Sequence, residues 1–90
     1  MATPTEPPAT ALERSKGRLT LYASWNGATE VAAWDALGGA DPTHLEPVGH
    51  AERRGFETAV PVSDAPAWVA ARALDASGAV LGASTPVKVG

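Results

Sequence analysis

The sequence predicts an all-β fold, a sandwich of two antiparallel sheets built from about seven short strands. Two patterns support this prediction. Apolar side chains recur at every second position in several short runs, as they do in strands that bury one face. Residues that favour turns (Gly, Pro, Asn, Asp and Ser) separate these runs at intervals of roughly 8–12 residues, which is the spacing of small sandwich domains.

Residues 1–10 are predicted to form an extended linker, because their prolines fix the backbone and remove hydrogen-bond donors. The sandwich domain is then residues 11–90. Its first elements are a short edge strand at residues 11–14 and a turn at residues 15–17.

Residues 19–37 are predicted to form the central hairpin of the sandwich. Residues 19–25 alternate between apolar and polar side chains, and Asn26-Gly27 follows directly. Asn-Gly between two such runs is a strong hairpin signal, because both residues tolerate a positive φ. Residues 29–37 are then the partner strand.

The alternative for residues 29–37 is an amphipathic helix, since their alanines favour helices. We favour a strand, because the run is short and Gly38-Gly39 ends it. Trp25 and Trp34 lie in registers that point between the two layers. Much of the apolar content is alanine, so these two rings are predicted to fill much of the core.

The middle of the chain gives weaker signals. Residues 38–43 are predicted to be a loop, and residues 45–50 an edge strand because Pro47 interrupts them. Residues 56–62 alternate more clearly. Their predicted inward face comprises Phe56, Thr58, Val60 and Val62.

Residues 67–74 are predicted to be a strong strand with two unlike faces. The buried face comprises Val69, Ala71 and Ala73. Arg72 indicates that the opposite face is exposed to solvent, because a guanidinium is seldom buried without a partner. Trp68 shares that face and is therefore predicted to lie outward or at the end of the strand.

A tight turn at residues 75–78 leads to the last strand, residues 80–89. Gly82 and Pro86 mark irregular points in this strand, which suits the edge of a sheet.

Composition limits the classes of function. Ninety residues are enough for one domain. The net charge of −3 argues against a nucleic-acid surface, and the lack of cysteine excludes disulfide and thiolate chemistry. No run approaches the ~18 apolar residues of a membrane helix, and the first residues lack the apolar core of a signal peptide.

Three segments resemble the fibronectin type III pattern: LYASW at residues 21–25, VAAWDA at residues 31–36 and WVAARALDASG at residues 68–78. The resemblance implies a seven-stranded Greek-key sandwich of the fibronectin type III or immunoglobulin-like kind. Trp68 departs from the pattern, because family members usually have a tyrosine near this point whose hydroxyl fixes the corner.

A longer match covers nearly the whole chain. The segments LTLYASWNGATEVAAWDALGGADPTHLEPVG, RRGFETAVPV and WVAARALDASGAVLGASTPVKV resemble the C-terminal part of arylsulfotransferase-family proteins from actinobacteria. In that family a β-propeller precedes this part and carries the catalytic histidine. The resemblance implies a non-catalytic accessory module of a secreted or cell-surface protein, with that propeller as its partner and no catalytic residue in this chain.

Other candidate sites carry simpler interpretations. His44 and His50, with Asp41, Glu46 and Glu52 nearby, suggest a metal site, but they fall on an interrupted edge, so we predict no metal and no cofactor. Asp41 and Asp75 suggest calcium, although Asp75 is more simply a turn residue. The serines that suggest a nucleophile, none of which lies in a catalytic motif, are Ser24, Ser63, Ser77 and Ser84.

Trp68 is the one predicted docking residue, with partial burial and ligand binding as the alternatives. Two further hypotheses for the chain remain open. In the first, the chain is an independent adhesion or carbohydrate-binding module. In the second, its loop at residues 38–43 forms part of the active site of a parent enzyme.

Overall fold

A computed structural model of the chain shows two antiparallel sheets in a sandwich-like arrangement. It describes residues 8–25, 30–55, 57–63 and 66–89, and these ranges contain strands and turns but no helix. The strands in chain order are β1 (Ala9–Ser15), β2 (Arg18–Ser24), β3 (Ala33–Asp41), β4 (His44–Glu52), β5 (Glu57–Val62), β6 (Trp68–Leu74), β7 (Val80–Ala83) and β8 (Val87–Lys88). The predicted all-β class is confirmed.

One sheet has three strands in the order β1-β2-β5, and the other has five. In the larger sheet the order is β4-β3-β6-β7, and β8 also pairs with β6. Every pairing between strands is antiparallel. The strands β2 and β3, which are consecutive in the chain, therefore belong to different sheets.

The predicted hairpin between β2 and β3 is wrong. β2 pairs with β1 and β5, whereas β3 pairs with β4 and β6. Asn26-Gly27 lies outside the described residues. Apolar and polar side chains alternate along a strand in the same way whether the next strand pairs with it or belongs to the other sheet. The local pattern therefore did not reveal that the chain changes sheets here.

A two-residue hairpin does occur earlier, between β1 and β2. Ser15 pairs with Arg18, and the two residues between them, Lys16 and Gly17, have φ values of 51° and 77°. Positive φ at both central positions matches the twist of the flanking strands. β1 itself begins at Ala9, inside the segment predicted to be a linker.

The predicted loop at residues 38–43 is mostly strand. β3 continues to Asp41, and Pro42-Thr43 alone form the turn into β4. Asp41 Oδ1 accepts hydrogen bonds from the N–H and hydroxyl of Thr43 at 3.0 and 2.9 Å. The prediction of strand over helix for residues 29–37 is confirmed for residues 33–37, which belong to β3, whereas residues 30–32 precede the strand and residue 29 lies outside the described residues.

The core lies between the sheets and follows the predicted inward faces. Trp34 is 2% exposed, and Trp25 is partly buried and packs against the same cluster. The predicted inward residues that the structure describes as fully buried are Leu21, Ala23, Val60, Val69, Ala71 and Ala73, with Thr58 at 1% exposure. Phe56 lies outside the described residues.

Gly82 makes room for one of the two rings. It pairs with inward-facing Ala73, and a Cβ built on Gly82 would come within 2.5 Å of the Trp25 ring. The irregular point predicted at Gly82 thus has a packing reason, since the indole occupies the space that a side chain would take.

Along one side the two sheets nearly touch, where β4 approaches β5. The carbonyl oxygen of Val48 accepts hydrogen bonds from the backbone N–H of Ser63 at 3.1 Å and from its hydroxyl at 2.8 Å. A Cβ on Gly49 would collide with the carbonyl oxygen of Pro61. We call this contact between β4 and the end of β5 the seam.

The last predicted strand is divided into β7 and β8. Between them, Ser84 forms two hydrogen bonds with the backbone of Ala71, which take the place of strand pairing. Its N–H donates to the carbonyl of Ala71 at 2.8 Å, and its Oγ accepts from the N–H of Ala71 at 2.8 Å. Ser84 is buried, so this hydroxyl satisfies a backbone donor that has no access to water.

We expect Ser84→Ala to lower the free energy of unfolding by about 1–3 kcal/mol, because the N–H of Ala71 would be left buried without an acceptor. Chemical denaturation measures the change. Thr85→Ala, at the exposed neighbouring position, is the control and should change stability by no more than about 0.5 kcal/mol. Equal effects of the two substitutions would contradict the role given to this hydroxyl.

Candidate functional site

The outer face of the five-stranded sheet carries a row of three ionisable side chains. Asp35 on β3 lies directly opposite His50 on β4 and Arg72 on β6. Residues that are directly opposite in antiparallel strands point to the same face of the sheet. We call these three residues the charged row.

Hydrogen bonds join the charged row through Asp35. The Nδ1 of His50 is 2.7 Å from Oδ1 of Asp35, and an Nη of Arg72 donates to Oδ2 of Asp35 at 2.8 Å. The side chain of Asp35 is 14% exposed, whereas those of Arg72 and His50 are 30% and 56% exposed. A shielded carboxylate therefore sits between an arginine and an accessible imidazole.

The surroundings of Asp35 act on its pKa in opposite directions. Burial raises the pKa, while the hydrogen bonds from Arg72 and His50 and their charges lower it. The net result is a pKa below the ordinary value of an aspartate. A carboxyl with a lowered folded pKa stabilises the fold above its unfolded pKa of ~3.9 and loses that contribution as the pH falls through the folded value.

We therefore expect Asp35→Asn to destabilise the protein more at pH 7 than at pH 3. At pH 3, below the unfolded pKa of ~3.9, the carboxyl of the unfolded chain is largely protonated, so the advantage of the folded carboxylate over asparagine shrinks. Urea denaturation of both proteins at the two pH values measures the difference. Glu46→Gln, which neutralises an exposed carboxylate on β4, is the control. A difference in the free energy of unfolding between wild type and Asp35→Asn that is larger at pH 3 than at pH 7 would contradict the lowered pKa of Asp35.

The face around Arg72 is less exposed to solvent than predicted. Arg72 has a charged partner, as expected, but Ala70 and Leu74 on the same face are 2% and 9% exposed. The Nε of Arg72 is itself buried and has no hydrogen-bond partner among the residues that the structure describes. β6 is a central strand, so neighbouring strands shelter its outer side chains, which the sequence pattern did not indicate.

Trp68 lies on this outer face, as predicted, and is partly buried. Its cross-strand neighbours are Gly39 on β3 and Lys88 on β8. Further along the face, Leu37 lies opposite Ala70. We call Leu37 and Trp68, which are both partly exposed beside buried Ala70, the outer apolar patch. It adjoins the charged row along β3 and β6.

The two histidines considered for a metal site belong to different surroundings. His44 lies opposite Asp41 at the end of the hairpin, with Nδ1 3.1 Å from the hydroxyl of Thr43. His50 belongs to the charged row. Six residues of extended strand separate them by about 20 Å. Within the described ranges, no group of three or more His, Cys, Asp or Glu side chains is placed to hold a metal ion.

The Asp75 carboxylate accepts hydrogen bonds within the turn that Asp75 begins, as the simpler interpretation predicted. Its Oδ1 accepts hydrogen bonds from the Ser77 hydroxyl at 2.7 Å and from the N–H groups of Ser77 and Ala79 at 2.9 Å. The hydrogen bonds from the Ser77 hydroxyl and the Ala79 N–H hold the pKa of Asp75 below its ordinary value. Gly78, with φ of 88°, completes the turn.

The serines considered as nucleophiles are dispersed over the fold. Ser63 bonds the carbonyl of Val48, and Ser77 bonds Asp75. Ser84 bonds the backbone of Ala71, while Ser24 lies at the end of β2. The structure does not bring these four residues together.

Sequence reasoning identified Trp68 and Arg72 but missed Asp35. The chain offers one signal for it, a carboxylate at an outward position within the otherwise apolar stretch of residues 33–40. Finding its partners required the register of β3 against both neighbours, which the sequence does not provide.

Comparisons with known proteins do not identify a family. No family model matches the chain, and searches of curated proteins and of solved structures found no significant match. Among the described residues, no helix is long and apolar enough to cross a bilayer.

Proposed function

We propose that this chain is a non-catalytic accessory module that docks on another domain through the outer face of its five-stranded sheet. The observation that carries the proposal is the outer apolar patch beside the charged row. Tryptophan is enriched among the residues that contribute most to protein interfaces. Trp68 pairs with Gly39 on β3 and with Lys88 on β8, so neighbouring strands hold its backbone on both sides.

The charged row suits such an interface. Asp35 already has both Arg72 and His50 as hydrogen-bond partners, so a docking surface could cover the carboxylate without leaving it unpaired. An unpaired buried charge would instead oppose association. The edge of this patch, at exposed His50, remains polar, as the rim of an interface usually is.

We further propose that the sandwich is of the fibronectin type III or immunoglobulin-like kind, with Greek-key connections. Two observations support this. The strand order is β1-β2-β5 in one sheet and β4-β3-β6-β7 in the other. β7 and β8 both pair with β6, so counting them as one interrupted strand gives the expected seven.

The proposed partner is the β-propeller of a secreted or cell-surface arylsulfotransferase-like protein. Its support is the sequence resemblance, above all the segment YASWNGATEVAAW, of which Trp25 and Trp34 are core residues of the sandwich. The catalytic residues are assigned to the propeller. This chain's role is then to stabilise or position that domain.

The test begins with the coding sequence upstream of Met1. If it encodes a propeller, the longer protein is produced and its tryptophans are mapped by oxidative footprinting beside the isolated chain. We expect Trp68 to react more slowly in the longer protein, while Trp34 stays protected in both. An upstream sequence without a propeller, or equal reactivity of Trp68 in both proteins, would refute the proposed partner.

The second candidate function is a module that binds a carbohydrate or an aryl ligand. It is favoured by one observation, a partly exposed indole with Lys88 and the charged row on the same face. Titration with glycans or aryl sulfates, followed by tryptophan fluorescence, tests it. A saturable change that Trp68→Phe removes would support ligand binding. No change at millimolar ligand would leave domain docking as the proposal.

A further inference from the structure

We propose that two copies of this chain associate by antiparallel pairing of their β1 strands, which joins their three-stranded sheets into one sheet across a two-fold axis. This inference goes beyond the proposed function, since it uses the opposite sheet. It rests on the outer edge of β1, which pairs with no other described strand, on the direction of its backbone groups and on its self-complementary sequence.

The other sheet edges are protected against such pairing. β4 contains Pro47 and a register shift against β3. β5 contains Pro61 and lies against β4 at the seam. β7 has four residues and β8 has two, with Pro86 between them. Prolines, bulges and short strands are the usual devices that keep an edge from adding another strand.

β1 has no proline, no bulge and a length of seven residues, and its two charged residues, Glu13 and Arg14, lie opposite uncharged residues in the proposed pairing. Its seven residues pair with β2 in a continuous register from Ala9 to Ser15, without proline, glycine or a bulge. It forms the edge of its sheet, because the strand order is β1-β2-β5. Its outer side is therefore the longest regular edge in the described part of the fold.

The hairpin fixes which backbone groups point outward. A two-residue hairpin loop is closed by a pair that exchanges hydrogen bonds, here Ser15 and Arg18. Bonded and non-bonded pairs alternate along an antiparallel ladder. Ala9, Ala11 and Glu13 thus bond to β2, as Ser15 does. The N–H and C=O groups that point to the free side belong to Thr10, Leu12 and Arg14.

One register satisfies all of these outward groups in both copies. With Leu12 opposite Leu12 of the second copy, Thr10 lies opposite Arg14 and Arg14 opposite Thr10. Each of these pairs exchanges two hydrogen bonds, so about six form across the axis. All three pairs lie on the face that holds Leu12, which is partly buried against the core.

Side-chain charge favours the same register. It places Glu13 opposite Ala11 and Arg14 opposite Thr10, so no like charges are opposed. A shift of the axis to Glu13 would oppose two glutamates. A shift to Ala11 would set Arg14 against Pro8, which has no N–H to donate. The register centred on Leu12 is therefore the favoured one.

Disulfide trapping tests the register directly, because the chain has no cysteine of its own. In the proposed dimer, residues 11 and 13 of opposite copies are a non-hydrogen-bonded pair with Cα atoms about 4.5 Å apart, within reach of a disulfide. Residue 11 is about 8 Å from its own copy across the axis, and residue 13 likewise, which is too far.

We expect a mixture of Ala11→Cys and Glu13→Cys proteins to give the mixed disulfide dimer under mild oxidation, identified by intact mass. Each variant alone should remain mostly monomeric. Equal cross-linking in all three samples would overturn the register, and no cross-linking in any sample would overturn the dimer.

Sedimentation of the unmodified protein, up to about 1 mM because an interface of one strand pair is small, measures the association itself. Thr10→Pro removes an outward donor without removing a bond to β2, and we expect at least a tenfold loss in association. Thr10→Val keeps the donor and should associate like wild type. A monomeric wild type at every concentration would overturn the proposal, as would equal association of the two variants.

Discussion

Replacing Trp34 by alanine is expected to lower the free energy of unfolding by about 3–5 kcal/mol and to leave the protein largely unfolded at 37 °C. Trp34 is 2% exposed and stands on β3 between two paired neighbours, β4 and β6. Alanine would leave a large cavity between the layers. A domain of this size has a total stability of about 5–10 kcal/mol, so one such loss removes much of it.

Trp25→Ala is the matched comparison, because Trp25 is the same residue type in the same core but only partly buried. It should cost less than Trp34→Ala. Thermal and urea denaturation of both variants measure the order. A melting temperature within a few degrees of wild type for Trp34→Ala, or the reverse order, would contradict the core described above.

The second large effect is expected at the seam. Gly49→Ala should destabilise the protein by about 3 kcal/mol or more, because the new Cβ would collide with the carbonyl oxygen of Pro61. The obstacle is backbone on the facing strand, so no side-chain rotation relieves it. The two sheets would have to separate at this edge, which would also strain the hydrogen bonds from Ser63 to Val48.

Gly78→Ala isolates the collision from the general cost of replacing glycine. Gly78 has φ of 88° and open space where its Cβ would lie, so its replacement costs about 1–2 kcal/mol through backbone strain alone. Gly49 has no positive φ. Urea denaturation should therefore show Gly49→Ala to be the more damaging of the two. A smaller effect at Gly49 would mean that the seam is looser than described.

The sequence was a good guide to which side chains point inward. Alternation placed Leu21 and Val60 on buried faces, and the structure confirms both. Each of these assignments depends on the period of a single strand, and a strand with one buried face must show that period. Trp34 was predicted from the same logic and is 2% exposed.

Pairing between strands was harder to predict, because it depends on residues far apart in the chain. Asn26-Gly27 has the stronger hairpin sequence, yet the hairpin of β1 and β2 turns at Lys16-Gly17. A lysine tolerates positive φ at a modest cost, which the two long flanking strands outweigh. Local turn preference was therefore a weaker guide than the partners available to each strand.

The candidate site shows the same limit. Arg72 was recognised as an arginine that needs a partner, but Asp35 is 37 residues away in sequence. The two meet because β3 and β6 pair in one particular register. Trp68 was placed on the correct face because that assignment required only the alternation within β6.

The order in which the strands pair has a consequence for synthesis of the chain on the ribosome. β2 needs β5, with Leu19 paired to Val62, and β3 needs β6, with Ala33 paired to Leu74. Until those distant segments emerge, the growing polypeptide can form only the β1–β2 and β3–β4 hairpins, and isolated hairpins are marginal in water. We therefore expect cooperative folding to wait until nearly the whole chain has left the exit tunnel, with a rate in the slow range typical of β-sandwiches.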